Sequence, residues 1–199
     1  MALPKINTVL YDLELPSSGK KVEYRPFLVK EEKILLMALE GKDDKDMSKA
    51  IKQIITQCVT TEGFNVNKLP MIDLEYLFLN IRGKAVGDIS TITFEHECGE
   101  TINLDIDLSK VKVVKNKKYS DLVKLTDDIT IRLTPPSIDN VIGAGDKNQI
   151  DMVLEIIRDS IVEIIQGEDV FSAQDHTREE LEDFLNSLNS GQFKKVQDY

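Results

Sequence analysis

Lys21-Val22-Glu23-Tyr24-Arg25-Pro26-Phe27-Leu28-Val29-Lys30-Glu31-Glu32-Lys33-Ile34-Leu35-Leu36-Met37-Ala38-Leu39 is the stretch that decides the fold class, because the apolar period changes inside it. Val22 and Tyr24 alternate with charged residues, the pattern of a strand with one buried face. Pro26 cannot donate a ladder hydrogen bond, so the strand ends there or lies at a sheet edge. From Glu31 to Leu39 the apolar residues Ile34, Leu35, Met37 and Ala38 recur at helical spacing, and Gly41 to Asp44 breaks the run. A chain that changes period in this way, and does so again downstream, is α+β.

Upstream, Val9, Tyr11, Leu13 and Leu15 alternate with other residues up to a turn cluster at Pro16 to Lys20, so the opening reads as a β-hairpin. Downstream, a second helix from about Asp46 to Val59 carries the stripe Met47, Ile51, Ile54, Ile55 and Cys58. A third helix starts after Pro70 and reaches Arg82. Its apolar residues cover more than one face, so it is either central or buried by a partner. A second hairpin pairs Ile92, Phe94 and His96 with Ile102, Leu104, Ile106 and Leu108 across a turn at Glu97 to Glu100. Ile129, Ile131 and Leu133 form one more strand, which Pro135 and Pro136 stop.

The remainder reads as helical. Asn148 to Gln166 has the stripe Ile150, Val153, Leu154, Ile157, Ile161 and Ile164. Thr177-Arg178-Glu179-Glu180 has the spacing of a capping box. The helix it opens, 178–189, carries Leu181, Phe184, Leu185 and Leu188 at i, i+3, i+4 and i+7. Phe193, Val196 and Tyr199 follow in a short tail. The expected architecture is two antiparallel β-hairpins with intervening helices, followed by a helical C-terminal part. Residues 1–138 form the α+β body, and 139–199 form an acidic helical region packed on it.

The chain of 199 residues holds 25 Lys+Arg against 35 Asp+Glu, a net charge of −10. Residues 1–119 balance at 18 basic and 18 acidic, whereas residues 120–199 hold 7 basic and 17 acidic, so the whole excess lies in the last part. That charge opposes general nucleic-acid binding, which needs a basic surface to displace counterions, and it opposes attachment to anionic lipid. No apolar run approaches the roughly 18 residues of a membrane span. The N-terminus shows no apolar signal region. Cys58 and Cys98 read as free thiols of a reducing compartment.

No catalytic constellation is visible. His96-Glu97-Cys98-Gly99 resembles half of a zinc knuckle, but the second pair of ligands is absent at knuckle spacing, so a hairpin turn is the reading and no metal is expected. Neither His96 nor His176 lies beside a nucleophile motif. Gly143-Ala144-Gly145 lacks the third glycine and the preceding strand of a phosphate loop. The carboxylate pairs Asp127-Asp128, Asp43-Asp44 and Glu31-Glu32 sit at turns and helix starts. Lys110, Lys112, Lys115, Lys117 and Lys118 make a basic loop without arginine, which reads as solvated. No cofactor is expected. The helix 178–189 either packs on its own domain or docks in another protein's groove. In the docking reading Leu181, Phe184, Leu185, Leu188 and Phe193 bind the partner, and replacing Phe184 and Leu185 by Asp abolishes docking while the fold survives.

Several segments together resemble one family. Leu15 to Val22, then Tyr24-Arg25-Pro26-Phe27-Leu28-Val29-Lys30-Glu31-Glu32-Lys33, are similar to the opening of the T-even-type bacteriophage baseplate proteins. Leu77 to Arg82, Val86-Gly87, the Cys98-Gly99 turn, and Leu181 to Leu188 with Gln192-Phe193 resemble it further on. The resemblance implies a non-enzymatic tail protein, either a baseplate hub subunit or a hub assembly factor. The alternative it implies is a transient chaperone of the tape measure protein. Its partners would be hub or tape measure proteins, and its place the host cytoplasm during assembly and the virion tail baseplate.

Overall fold

The computed structural model describes residues 7–41, 43–96, 98–114, 119–143 and 149–199. The chain is α+β, with antiparallel hairpins and C-terminal helices. It divides into two compact units, Met1–Val113 and Val114–Tyr199.

In the first unit, β1 (Tyr11–Glu14) and β2 (Lys21–Tyr24) pair antiparallel with Leu13 opposite Val22. The Gly19 N–H donates to the Leu15 carbonyl at 2.9 Å from a φ of +68°, a conformation that favours glycine. Beyond Tyr24 the strand runs against the end of the second helix. The Arg25 N–H donates to the Cys58 carbonyl and the Thr60 N–H to the Glu23 carbonyl, each at 2.9 Å. Pro26, which has no N–H, follows the last of these bonds.

Three helices follow: α1 (Val29–Gly41), α2 (Asp44–Cys58) and α3 (Met71–Val86). The core draws Val22, Tyr24 and Phe27 from the hairpin side, Ile54, Ile55 and Cys58 from α2, and Leu74, Leu77 and Ile81 from α3. Cys58 completes the α2 stripe as its spacing predicts, and burial pushes its thiol up to about 11. Desolvation likewise pushes the Tyr24 phenol up to about 12. Tyr76, Phe78 and Leu79 are half-buried beside the buried face of α3.

Among the described residues of this unit, Glu31 and Asp73 are buried acids. Burial alone would raise the Glu31 pKa. Arg25 Nη2, donating to Oε1 at 2.8 Å, and the Leu28 N–H, donating to Oε2 at 2.8 Å, hold it below the usual carboxylate range instead. The same guanidinium reaches the Gln57 carbonyl at 3.0 Å, so one side chain ties β2, the start of α1 and the end of α2. Asp73 accepts from the Ser17 N–H at 2.8 Å and from the Ser17 hydroxyl, which pins the β1–β2 turn to the first turn of α3.

After α3 come β3 (Ile89–Glu95) and β4 (Thr101–Asp107), a two-stranded antiparallel ribbon that pairs with no further strand among the described residues. The basic loop begins with Lys110, which pairs with Asp107 at 2.9 Å; Lys115, Lys117 and Lys118 lie outside the described residues.

The second unit is built on a four-stranded antiparallel sheet in the order β5-β6-β7-β8. β5 spans Leu122–Lys124 and β6 Ile129–Leu133; α4 (Ile138–Gly143) and α5 (Gln149–Ser160) follow. β7 is Ile161–Gln166, β8 Asp169–Ser172, α6 Arg178–Asn186 and α7 Ser190–Gln197. Two expectations differ here. The helix predicted over 148–166 stops at Ser160, whose hydroxyl donates to the Ile156 carbonyl, and the chain continues as β7. Residues 161–166 hold Ile161, Val162, Ile164 and Ile165, whose branched Cβ atoms fit a pleated surface, and β6 offers the partner, with Ile131 opposite Ile164. The helical C-terminal part therefore contains a β-hairpin, turned at Gly167 with φ +59°. The second difference is in grouping: residues 114–138, expected in the body, fall in the second unit, because β6 pairs with β7.

Candidate functional site

Helix α6 starts where its capping box predicts. The Thr177 N–H donates to Glu180 Oε2 at 2.8 Å, and the Glu180 N–H donates back to Thr177 Oγ1 at 3.2 Å. These bonds hold the Glu180 carboxyl below its usual range. A second capping box opens α7: the Asn189 N–H donates to Gln192 Oε1 and the Gln192 N–H to Asn189 Oδ1, each at 2.9 Å. The Asn-x-x-Gln spacing was its signal in what was read as a plain tail.

The apolar stripe of α6 lies on its own unit. Leu185 and Leu181 are buried at 3% and 8% exposure. Leu185 belongs to a core with Leu125, Ile131, Leu133, Ile157 and Val196, against which Phe184, Leu188, Phe193 and Tyr199 pack. Tyr199 closes this arrangement by donating from its hydroxyl to the Leu133 carbonyl at 3.1 Å. The expected Phe184 and Leu185 to Asp pair would therefore place a charge in the core of the second unit, so it does not leave the fold intact.

Two of the five expected residues, Leu181 and Phe184, also line a shallow groove of about 220 Å³ between α6 and the sheet. Ile129, Ile164 and Phe171 supply the sheet side. His176 and Glu180 sit at its edge with Nδ1 and Oε2 3.5 Å apart, and the His176 ring lies 6.2 Å from that of Phe171. An apolar floor beside one carboxylate, Glu180, suits an aliphatic or aromatic side chain flanked by a cation. Sequence reading missed Ile164 and Phe171 because their strands were read as helix and loop. The β-branched Val170 and aromatic Phe171, following the turn at Gly167, are the signal that marks the second of these strands.

In the β3–β4 hairpin, the Gly99 N–H donates to the His96 carbonyl and the His96 N–H to the Glu100 carbonyl, each at 2.8 Å. The Cys98 N–H donates to His96 Nδ1 at 3.3 Å, and its sulfur lies 3.0 Å from the same nitrogen. The half-knuckle is thus a local turn; Glu97 lies outside the described residues. No group of three or more His, Cys, Asp or Glu able to hold a metal occurs among the described residues. A second groove, of about 370 Å³, lies under the β1–β2 turn and is lined by Lys20, Lys21 and Lys68 among others. Its one buried carboxylate, Asp73, is engaged by Ser17. Of Gly143-Ala144-Gly145, Gly143 is the last residue of α4, and residues 144–148 lie outside the described residues. No described helix is long and apolar enough to cross a membrane.

The motif that carries the resemblance, Tyr24 to Lys33, is accounted for by packing rather than chemistry. Tyr24 and Phe27 are buried, and Arg25 with Glu31 forms the ion pair that staples three elements. Searches of curated proteins and of solved structures give no match. The T4 bacteriophage base plate protein family matches residues 8–199, and the chain belongs to that family.

Proposed function

We propose that the chain is a non-enzymatic baseplate hub subunit or hub assembly factor that acts through protein–protein binding. In this reading the groove beside α6 receives an apolar side chain from a basic segment of another hub protein or of the tape measure protein. The observation that supports it is the groove: an apolar floor of Ile164, Phe171 and Phe184 edged by Glu180, in the part of the chain where 17 acidic residues face 7 basic ones. The floor supplies affinity by apolar burial at roughly 25 cal/mol per Å², less the costs of association. The carboxylates supply on-rate and selectivity.

The test is co-expression of the full chain with the hub and tape measure proteins, followed by pull-down at low and high salt. Phe171 is 41% exposed, so Phe171→Asp leaves the core in place. Wild type retains a partner at low salt, and Phe171→Asp releases it. Equal retention of both contradicts the groove. Mass spectrometry of purified virions then separates a hub subunit, which is present, from a transient tape measure chaperone, which is missing.

A further inference from the structure

We propose that the β3–β4 hairpin is a separate docking element that lays its apolar face on an uncharged apolar surface, rimmed by Lys or Arg, of a different protein. Antiparallel register decides which side chains share a face. Ile92 stands opposite Leu104 and Phe94 opposite Ile102, so these four lie together. The other face is polar: Thr91 Oγ1 donates to Asp105 Oδ1 at 2.6 Å and Thr93 Oγ1 to Asn103 Oδ1 at 2.8 Å. The four apolar side chains are exposed, Ile102 at 62% and Phe94 at 54%. A two-stranded ribbon, joined by no third strand among the described residues, is marginal in water by itself. Exposed, rimmed patches of this kind mark interaction sites.

Area and charge choose the occupant. At roughly 100 Å² of exposed surface each, the four side chains offer about 400 Å², half of the ~800 Å² per side of a stable interface. Two hairpins face to face would bury only a lattice-contact area. Residues 88–109 also contain six carboxylates (Asp88, Glu95, Glu97, Glu100, Asp105 and Asp107) and no Lys or Arg; the flanking Lys84 and Lys110 pair with Asp88 at 3.3 Å and with Asp107 at 2.9 Å. A second copy would bring like charge to like charge, whereas a different protein with a basic rim answers the charge. This proposal does not rest on the α6 groove, which lies in the other unit.

The test uses the tagged full chain, co-expressed in turn with each other baseplate protein and with the tape measure protein of the same phage. At least one of them binds wild type. The double variant F94D/L104D binds it at least about tenfold more weakly. Glu100→Lys, at the turn end of the apolar face, weakens it in the same direction, and Thr93→Ser, on the polar face, leaves it within about twofold. Phe94→Ser replaces the double variant should that one melt early. Three results overturn the proposal: none of these proteins binds wild type, F94D/L104D binds as tightly as wild type, or wild type forms a dimer in sedimentation that F94D/L104D dissolves.

Discussion

Helix α6 and the β3–β4 hairpin each carry apolar residues along one face, and the two faces meet opposite fates. Leu181 and Leu185 of α6 are buried beneath the four-stranded sheet, with Phe184 and Leu188 packed beside them. Ile92, Phe94, Ile102 and Leu104 of the hairpin remain exposed. The difference arises from what each element meets within its own unit. The sheet β5-β6-β7-β8 supplies Ile131, Leu133 and Ile161 to the core that Leu185 joins, whereas β3 and β4 pair with no further strand among the described residues. An amphipathic pattern therefore announces a face that must be covered; it does not say by what.

Substitutions sharpen this contrast, beginning with the largest effect. Leu185→Asp puts a charge into the core of the second unit and costs about 4 kcal/mol or more, enough to remove the cooperative melt of that unit by circular dichroism. Within the first unit the contrast runs between hairpins, since β1–β2 is anchored by buried polar groups and β3–β4 is not. Arg25→Ala leaves the buried Glu31 with the Leu28 N–H and the exposed Lys30, and costs about 3 kcal/mol in urea unfolding. The sign with pH follows. The folded Glu31 carboxyl is held below its unfolded pKa of about 4.3, so its contribution is full above that value and is lost as pH falls through the folded one. Glu31→Gln removes that share of the acid sensitivity, which melting curves between about pH 3 and 6 detect.

Thr177→Ala deletes the capping hydroxyl of α6 and costs about 1 kcal/mol, read as a shift in the melting temperature. The smallest effect is the most telling. Phe94→Asp changes stability by no more than about 0.5 kcal/mol, because Phe94 has no cover to lose. A loss comparable to that of Leu185→Asp would mean that the hairpin face is covered in the free chain, and the contrast would collapse.

What was legible in the sequence was local. The switch from Tyr24 to Ile34 gave away an α+β chain, and Thr177 with Glu180 marked the start of α6 by a bond spanning three residues. The β7 strand was not legible as one. Ile157, Ile161 and Ile164 keep a helical spacing, and only the distant β6, with Ile129 opposite Gln166, makes a strand of 161–166. The α6 groove was hidden for the same reason: Ile129, Ile164, Phe171 and Phe184 come from four separated segments. The exposure of Phe94 was hidden because it depends on what fails to pack there.

Hydrogen exchange on the free full chain, resolved to the two elements, is the most direct measurement. The account predicts that amides of 181–188 exchange only with global opening of the second unit, while those of 92–104 exchange many-fold faster through local fraying. Equal protection of the two, or faster exchange in α6 than in the hairpin, would contradict it.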